Sequence, residues 1–208
     1  MLITTDSLLS YTRSLQSVLD ALPRDDVACV VDEIVQAGDR GSTIFILGNC
    51  GSAATASHFA CDLAKGTQRP GARPFRVMAL TDNVPLMTAW GNDTSYDRIF
   101  AEQLRPLAQP DDLVIAISGS GNSPNVLEAV RTARLAGARS IGWTGFQGGK
   151  LKDLVDVCVI VPSDCMEQIE DVHLIMEHAI CTTLRAMREG QTQGQPLWQA
   201  QPSQVEGA

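Results

Sequence analysis

Residues 44–62 read IFILGNCGSAATASHFACD, and the change of character along this stretch decides the fold. The apolar run at 44–47 suits a short buried strand. It breaks into the small residues of 48–52, and these open into an Ala-rich segment carrying His58 and Asp62. A strand, an anion-sized loop and a helix follow one another, with the free N–H groups of the helix start facing the loop.

The same succession recurs outward from there. A strand at 113–117 runs into SGSGNS at 118–123 and then a helix from Pro124 to about 136. Further strands are expected at 75–80, 140–143 and 157–161. Helices are expected at 2–22, closed by Pro23; at 25–37, stopped by Gly38; at 85–90, broken by Gly91-Asn92-Asp93; at 96–107; and at 167–188, with a helical turn at 151–154. Alternating short strands and helices imply an α/β fold, a doubly wound five-stranded parallel sheet with its ligand at the carboxyl ends of the strands. Both Gly/Ser loops fall there. Residues 1–189 read as one domain, and 190–208, rich in Gln, Gly and Pro, as a disordered tail. Two helices ahead of the first strand need a surface to pack on, and a partner subunit would provide one.

The 208 residues carry a formal net charge of −8, which argues against a nucleic-acid footprint or a polybasic membrane surface. A few N–H groups and hydroxyls can still bind a phosphate locally. The six cysteines form no CxxC pair and read as reduced and mostly buried. No segment approaches the roughly 20 apolar residues of a membrane span. Asp6 stands where a signal peptide would be basic, so a cytoplasmic location is expected.

In SGSGNS, Ser123 falls at the N-cap and Pro124 at the first helical position, where its missing N–H costs nothing. The helix N-terminus with the hydroxyls of Ser118, Ser120 and Ser123 suits a phosphate monoester. The bland alternative is a tight turn with a capping serine. GNCGS adds Ser52 at the end of a different strand. Nucleotide fingerprints fit poorly: neither loop reads GxGxxG, and Gly148-Gly149-Lys150 is followed by Leu151 where a P-loop needs Ser or Thr.

His58 and Asp62, four apart, share one helix face and can hold a metal or relay a proton. The last helix carries Glu167, Glu170, Asp171, His173, Glu177 and His178. His173 and His178 are five apart, about 140° around an ideal helix, so they cannot both face one site.

Taken in order, GNCGSAATASHF, ALTDNVPLMTAWGND, AISGSGNSPNVLEAV, GWTGFQGGKL and IEDVHLIMEHAIC resemble the sugar isomerase (SIS) domain family, and within it the phosphoheptose isomerase branch. The resemblance runs from about Leu8 to Arg188. It implies a flavodoxin-like sheet and a homotetramer whose central bundle takes the N-terminal helices and the long C-terminal helix, with active sites near subunit interfaces. It makes Ser52, Ser118, Ser120 and Ser123 the phosphate-binding hydroxyls and puts Asn49 and Asp93 near the sugar. The metal and acid–base positions fall on His58, Asp62, Glu170 and His178, with Glu170 also facing substrate and His173 left structural. The chain departs from the pattern at Asp62, where the isomerases usually have Glu, at Glu170, where they have Gln, and at Glu167, where they have Asp.

The activity implied is conversion of sedoheptulose 7-phosphate to a heptose 7-phosphate through an enediol, with Asp62 as base and His178 as acid. Two imidazoles and two carboxylates would suit Zn²⁺ or another first-row divalent ion. Glu170 and His178 lie about 12 Å apart along an ideal helix. One ion reaches both only through extended side chains, an irregular first turn or different subunits. A rival reading, a non-catalytic adaptor resembling the tetrameric protein that binds the bacterial replication initiator, lacks the acid at 62 and the histidine at 178. A sugar-phosphate-sensing module would bring a basic helix-turn-helix, which this sequence does not contain.

Overall fold

The computed structural model describes residues 5–190. The tail expected at 190–208 lies outside the described residues except for Gly190. The strands β1 (Thr43–Gly48), β2 (Arg76–Ala79), β3 (Leu113–Ile117), β4 (Arg139–Thr144) and β5 (Val157–Ile160) form one sheet in the order β2-β1-β3-β4-β5. Every pairing is parallel; Ile44 opposes Leu113 and Ile115 opposes Ile141. This is the flavodoxin-like order, whose switch point lies between β1 and β3. GNCGS follows β1 and SGSGNS follows β3, so the two loops flank that crevice.

The central strands are apolar on both sides because helices cover both. One side joins Ile44 and Ile46 to α1 (Thr5–Asp20), α2 (Arg24–Arg40), α3 (Gly51–Cys61) and α7 (Met166–Arg188). The other joins Phe45 and Leu47 to α5 (Ala101–Leu104) and α6 (Pro124–Leu135), with Met87 of α4 (Val84–Asp93) against it. The two N-terminal helices behave differently. Val30, Ile34 and Ala37 of α2 are buried on the sheet, so α2 finds its surface within the subunit. On α1 Val18 packs into the core while Leu8 and Leu9 stay exposed at 62% and 46%.

Several expectations are corrected. Gly38 does not stop α2, which continues to Arg40 and ends on Gly41 in the left-handed region (φ +75°). A Cβ on Gly38 would stand 2.4 Å from the Phe75 ring, so the glycine is there for close packing. Gly91-Asn92-Asp93 does not break α4 but forms its last turn, closed where the Thr94 N–H and hydroxyl donate to the Trp90 carbonyl (3.0 and 2.6 Å). The helix expected at 96–107 divides into a 3₁₀ turn at Tyr96–Arg98 and the short α5. The cysteines are all free, but only Cys181 is buried; Cys29, Cys50 and Cys61 are exposed, the last at the solvent face of α3.

Candidate functional site

Chain direction builds the first half of the site. SGSGNS leaves β3 with Gly121 at φ +64°, where a Cβ would meet the Gly148 carbonyl oxygen at 2.1 Å. The Leu151 N–H donates to the Gly121 carbonyl (2.9 Å) and the Gly145 N–H to that of Gly119 (2.8 Å). The loop is thereby docked backbone to backbone on the one after β4. The Ser118 and Ser123 hydroxyls stand 3.3 Å apart, and Ser120 Oγ accepts from the Asn122 N–H (3.3 Å). Ser123 is the N-cap residue of α6 but its side chain makes no capping bond; Asn125 Oδ1 takes the Val126 N–H instead (2.9 Å). The three hydroxyls of this loop therefore gather at a helix start without being consumed by the helix.

GNCGS is shaped by Cys50 at φ +51°, ψ −121°, a conformation that non-glycine residues adopt under strain. Ser52 is buried in the first turn of α3. Asn49 ties the two loops together, exchanging amide hydrogen bonds with Asn125 (2.9 Å each) and accepting from the Tyr96 hydroxyl (3.1 Å). Asp93 lies exposed at the end of α4, accepting from Asn92 Nδ2 (2.9 Å).

Helices α3 and α7 build the second half. His58 and Asp62 stand on the last turn of α3 and the π-type turn that continues it at Asp62–Gly66, a wide turn frequent at functional sites. His58 Nε2 is 3.9 Å from Asp62 Oδ1, and the rings of His58 and His178 meet edge-on with centroids 4.9 Å apart. Glu177 of α7 joins them: its Oε2 lies 3.4 Å from His178 Nε2 and 3.9 Å from His58 Nδ1. One donor atom from each of His58, Asp62, Glu177 and His178 lies within 4.8 Å of all the others. This group can bind a divalent metal, since imidazole nitrogen and carboxylate oxygen in fours are ordinary ligands for such ions.

Glu177 is fully buried and neither of its carboxylate oxygens has a hydrogen-bond partner among the described residues. Burial above all, and then the nearby charge of Asp62, pushes the Glu177 carboxyl up to about 8. Sequence reasoning gave Glu177 no role, although a signal existed: it falls on the stripe of Ile169, Val172, Met176, Ile180 and Leu184, all buried. Glu170 does not join the group. A Cβ on Gly51 would meet its Oε2 at 2.6 Å, which puts the carboxylate against the first turn of α3. With Gly51, Ala54, Thr55, His58, Asp171 and Leu174 it lines a depression of about 260 Å³. His173 turns away into the core, 1% exposed, its Nε2 3.3 Å from the Thr144 carbonyl and its ring 6.0 Å from that of Trp143. Burial there pulls its pKa down to about 4.

The family model for the SIS domain matches residues 10–145. The chain belongs to the SIS domain family. Within that family its similarity runs to the phosphoheptose isomerases. The phosphoheptose isomerase of Aliarcobacter butzleri is 38% identical over 175 residues, 83% of this chain and 90% of the relative. The solved phosphoheptose isomerase of Francisella tularensis matches with a TM-score of 0.81 at 30% identity, over 88% of this chain and 99% of that one. That of Neisseria gonorrhoeae gives 0.81 at 28%, over 87% and 98%. The solved phosphoheptose isomerases thus share the fold of this chain over most of its length. Among the described residues no helix is long and apolar enough to cross a membrane.

Proposed function

We propose that this chain is a cytoplasmic aldose–ketose isomerase that converts sedoheptulose 7-phosphate to D-glycero-D-manno-heptose 7-phosphate through an enediol. The observation that carries the reading is the shared course of α3 and α7. Helix α3 begins in GNCGS and ends at His58 and Asp62; the N-terminal part of α7 lies on SGSGNS, where Met166 Sδ would be 2.5 Å from a Cβ on Gly119, and its middle carries His178. Six residues from Ser52 to His58 are about 9 Å of ideal helix, a span suited to an extended sugar chain with its phosphate at one end. The relatives are named phosphoheptose isomerases, which supports a heptose phosphate as the sugar.

In this reading Ser52, Ser118, Ser120 and Ser123 hold the phosphate, Asn49, Asp93 and Glu170 line the sugar, and Asp62 and His178 move the protons. Asp62 takes a proton from C1 of the open-chain ketose as the C2 carbonyl oxygen gains one, giving the enediol. His178 returns a proton to C2 while the C1 hydroxyl gives one up, leaving the aldose. A carboxylate and an imidazole are matched to these transfers near neutral pH. His58, Asp62 and His178, with a carboxylate of α7, would hold Zn²⁺ or a similar ion, which when bound supplies Lewis-acid stabilisation of negative charge on the substrate oxygens. Retention of Asp62 and His178 favours the enzyme over the adaptor. Exposed Leu8 and Leu9 on α1 with Ile175 and Met187 on α7 support a homotetramer built through these helices, with sites near the subunit interfaces.

The test is turnover of sedoheptulose 7-phosphate by the wild type and Asp62→Asn. The expected result is aldose formation by the first and a loss of a hundredfold or more in the second, the usual weight of a general base. Equal turnover by both would remove Asp62 from the chemistry.

A further inference from the structure

We propose that Glu177, rather than Glu170, supplies the α7 carboxylate of the metal site. The inference rests on the metal-dependent isomerase reading and concerns which side chain completes its donor set. Glu177 has 0% exposure, neither of its oxygens has a hydrogen-bond partner among the described residues, and another carboxylate, that of Asp62, shares the cluster. A buried carboxylate is costly unless something positive or hydrogen-donating meets it, and a second carboxylate beside it adds repulsion. A cation among these groups would resolve both at once. The surrounding atoms are arranged for it: an imidazole nitrogen from each of two helices approaches the same oxygen, Glu177 Oε2, at 3.4 and 3.9 Å.

Glu170 has no such need. It is only partly buried, and its carboxylate rests at the N-terminus of α3, where the helix dipole favours negative charge. It faces the depression beside His58, a position for meeting substrate. Eight residues, about 12 Å of helix, separate it from His178, whereas Glu177 adjoins His178.

The frame that holds the donors is itself secured. The turn after Asp62 is clamped to α7: Arg185 Nε donates to the Gly66 carbonyl (3.1 Å) and Arg188 Nη1 to that of Thr67 (3.2 Å). Helices α3 and α7 therefore meet at a fixed spacing across the cluster, as a preformed metal site requires.

The experiment is Co²⁺ binding to the full-length protein freed of metal with chelator, read by titration and by the visible absorption of the bound ion. The wild type, Glu177→Gln, Glu177→Met and Glu170→Ala are compared. Both Glu177 variants should weaken binding by at least about tenfold to a hundredfold, the range seen when even a second-layer partner of a ligand is lost. They should also alter the Co²⁺ spectrum, while Glu170→Ala keeps affinity and spectrum. In chelator the Glu177 variants should melt no lower than the wild type, since each removes a buried carboxyl group that has no hydrogen-bond partner among the described residues, and this establishes that they fold. Wild-type affinity in the Glu177 variants, loss of binding in Glu170→Ala, or no Co²⁺ binding by the wild type overturns the assignment. Turnover of sedoheptulose 7-phosphate by the wild type is measured separately. Its failure with Co²⁺ bound through Glu177 would refute the activity alone, and turnover with unchanged binding in Glu177→Gln would refute the ligand alone.

Discussion

His173 is the buried imidazole that stands apart from the His58–His178 cluster, and replacing it by Phe tests whether its place is in the core alone. In the native core its pKa lies at about 4 against an ordinary 6.5. The folded state therefore binds fewer protons than the unfolded state between these values, so stability falls as pH falls. The term is fully present above about pH 6.5 and is lost progressively toward pH 4. A displacement of about 2.5 units at about 1.4 kcal/mol each gives roughly 3 kcal/mol. Phe removes the term while keeping an aromatic ring beside Trp143. It also removes the hydrogen bond to the Thr144 carbonyl, worth about 1 kcal/mol, but that oxygen still accepts from the Val161 N–H at 2.8 Å. At pH 7 the variant should thus lie within about 1 kcal/mol of the wild type, and at pH 4 it should be the more stable of the two. Urea unfolding of both proteins at half-unit steps from pH 7 to 4, in chelator, measures the difference; carboxylates titrating alike in both cancel. Stability curves that stay parallel across this range would show that His173 is not held neutral, and the argument from its burial would fail.

Two other substitutions probe the phosphate half. Gly121→Ala puts a side chain on a residue at φ +64° and into the Gly148 carbonyl. It should cost about 1–3 kcal/mol in thermal unfolding and raise KM for the sugar phosphate; unaltered melting and KM would refute the loop docking. Ser123→Ala leaves the cap of α6 intact, because Ser123 makes no capping bond there. It should weaken phosphate binding by about tenfold or more, with the melting temperature unchanged, as for loss of one hydrogen bond to a charged group. A lower melting temperature with unchanged KM would return Ser123 to a purely structural role.

The central strands β1 and β3 were readable because each is a short apolar run that gives way to small residues; β3 at 113–117 has the bounds that its sequence suggests, and Pro124 marks the start of α6. Glycines misled where tertiary packing overrides local preference. Gly38 sits inside a helix because Phe75 needs the space, and Gly91 sits inside α4, whose last turn is closed by Thr94, the residue just after the expected break. The five-residue spacing correctly separates His173 from His178, one in the core and one at the cluster. Spacing also warned that Glu170 and His178 lie far apart, yet it could not reveal Glu177. A glutamate on an apolar stripe is legible as unusual, but its function depends on what α3 presents opposite it, and that is a fact of packing.

The most direct test of the central claim is the fate of solvent hydrogen. Sedoheptulose 7-phosphate incubated with the wild-type protein in D₂O, followed by proton and carbon NMR, should yield the aldose with deuterium at C2, because the hydrogen delivered there comes from the solvent-exchangeable His178 and not from the one taken by Asp62. Product without deuterium, or no product with the protein folded and its metal site filled, would contradict the account.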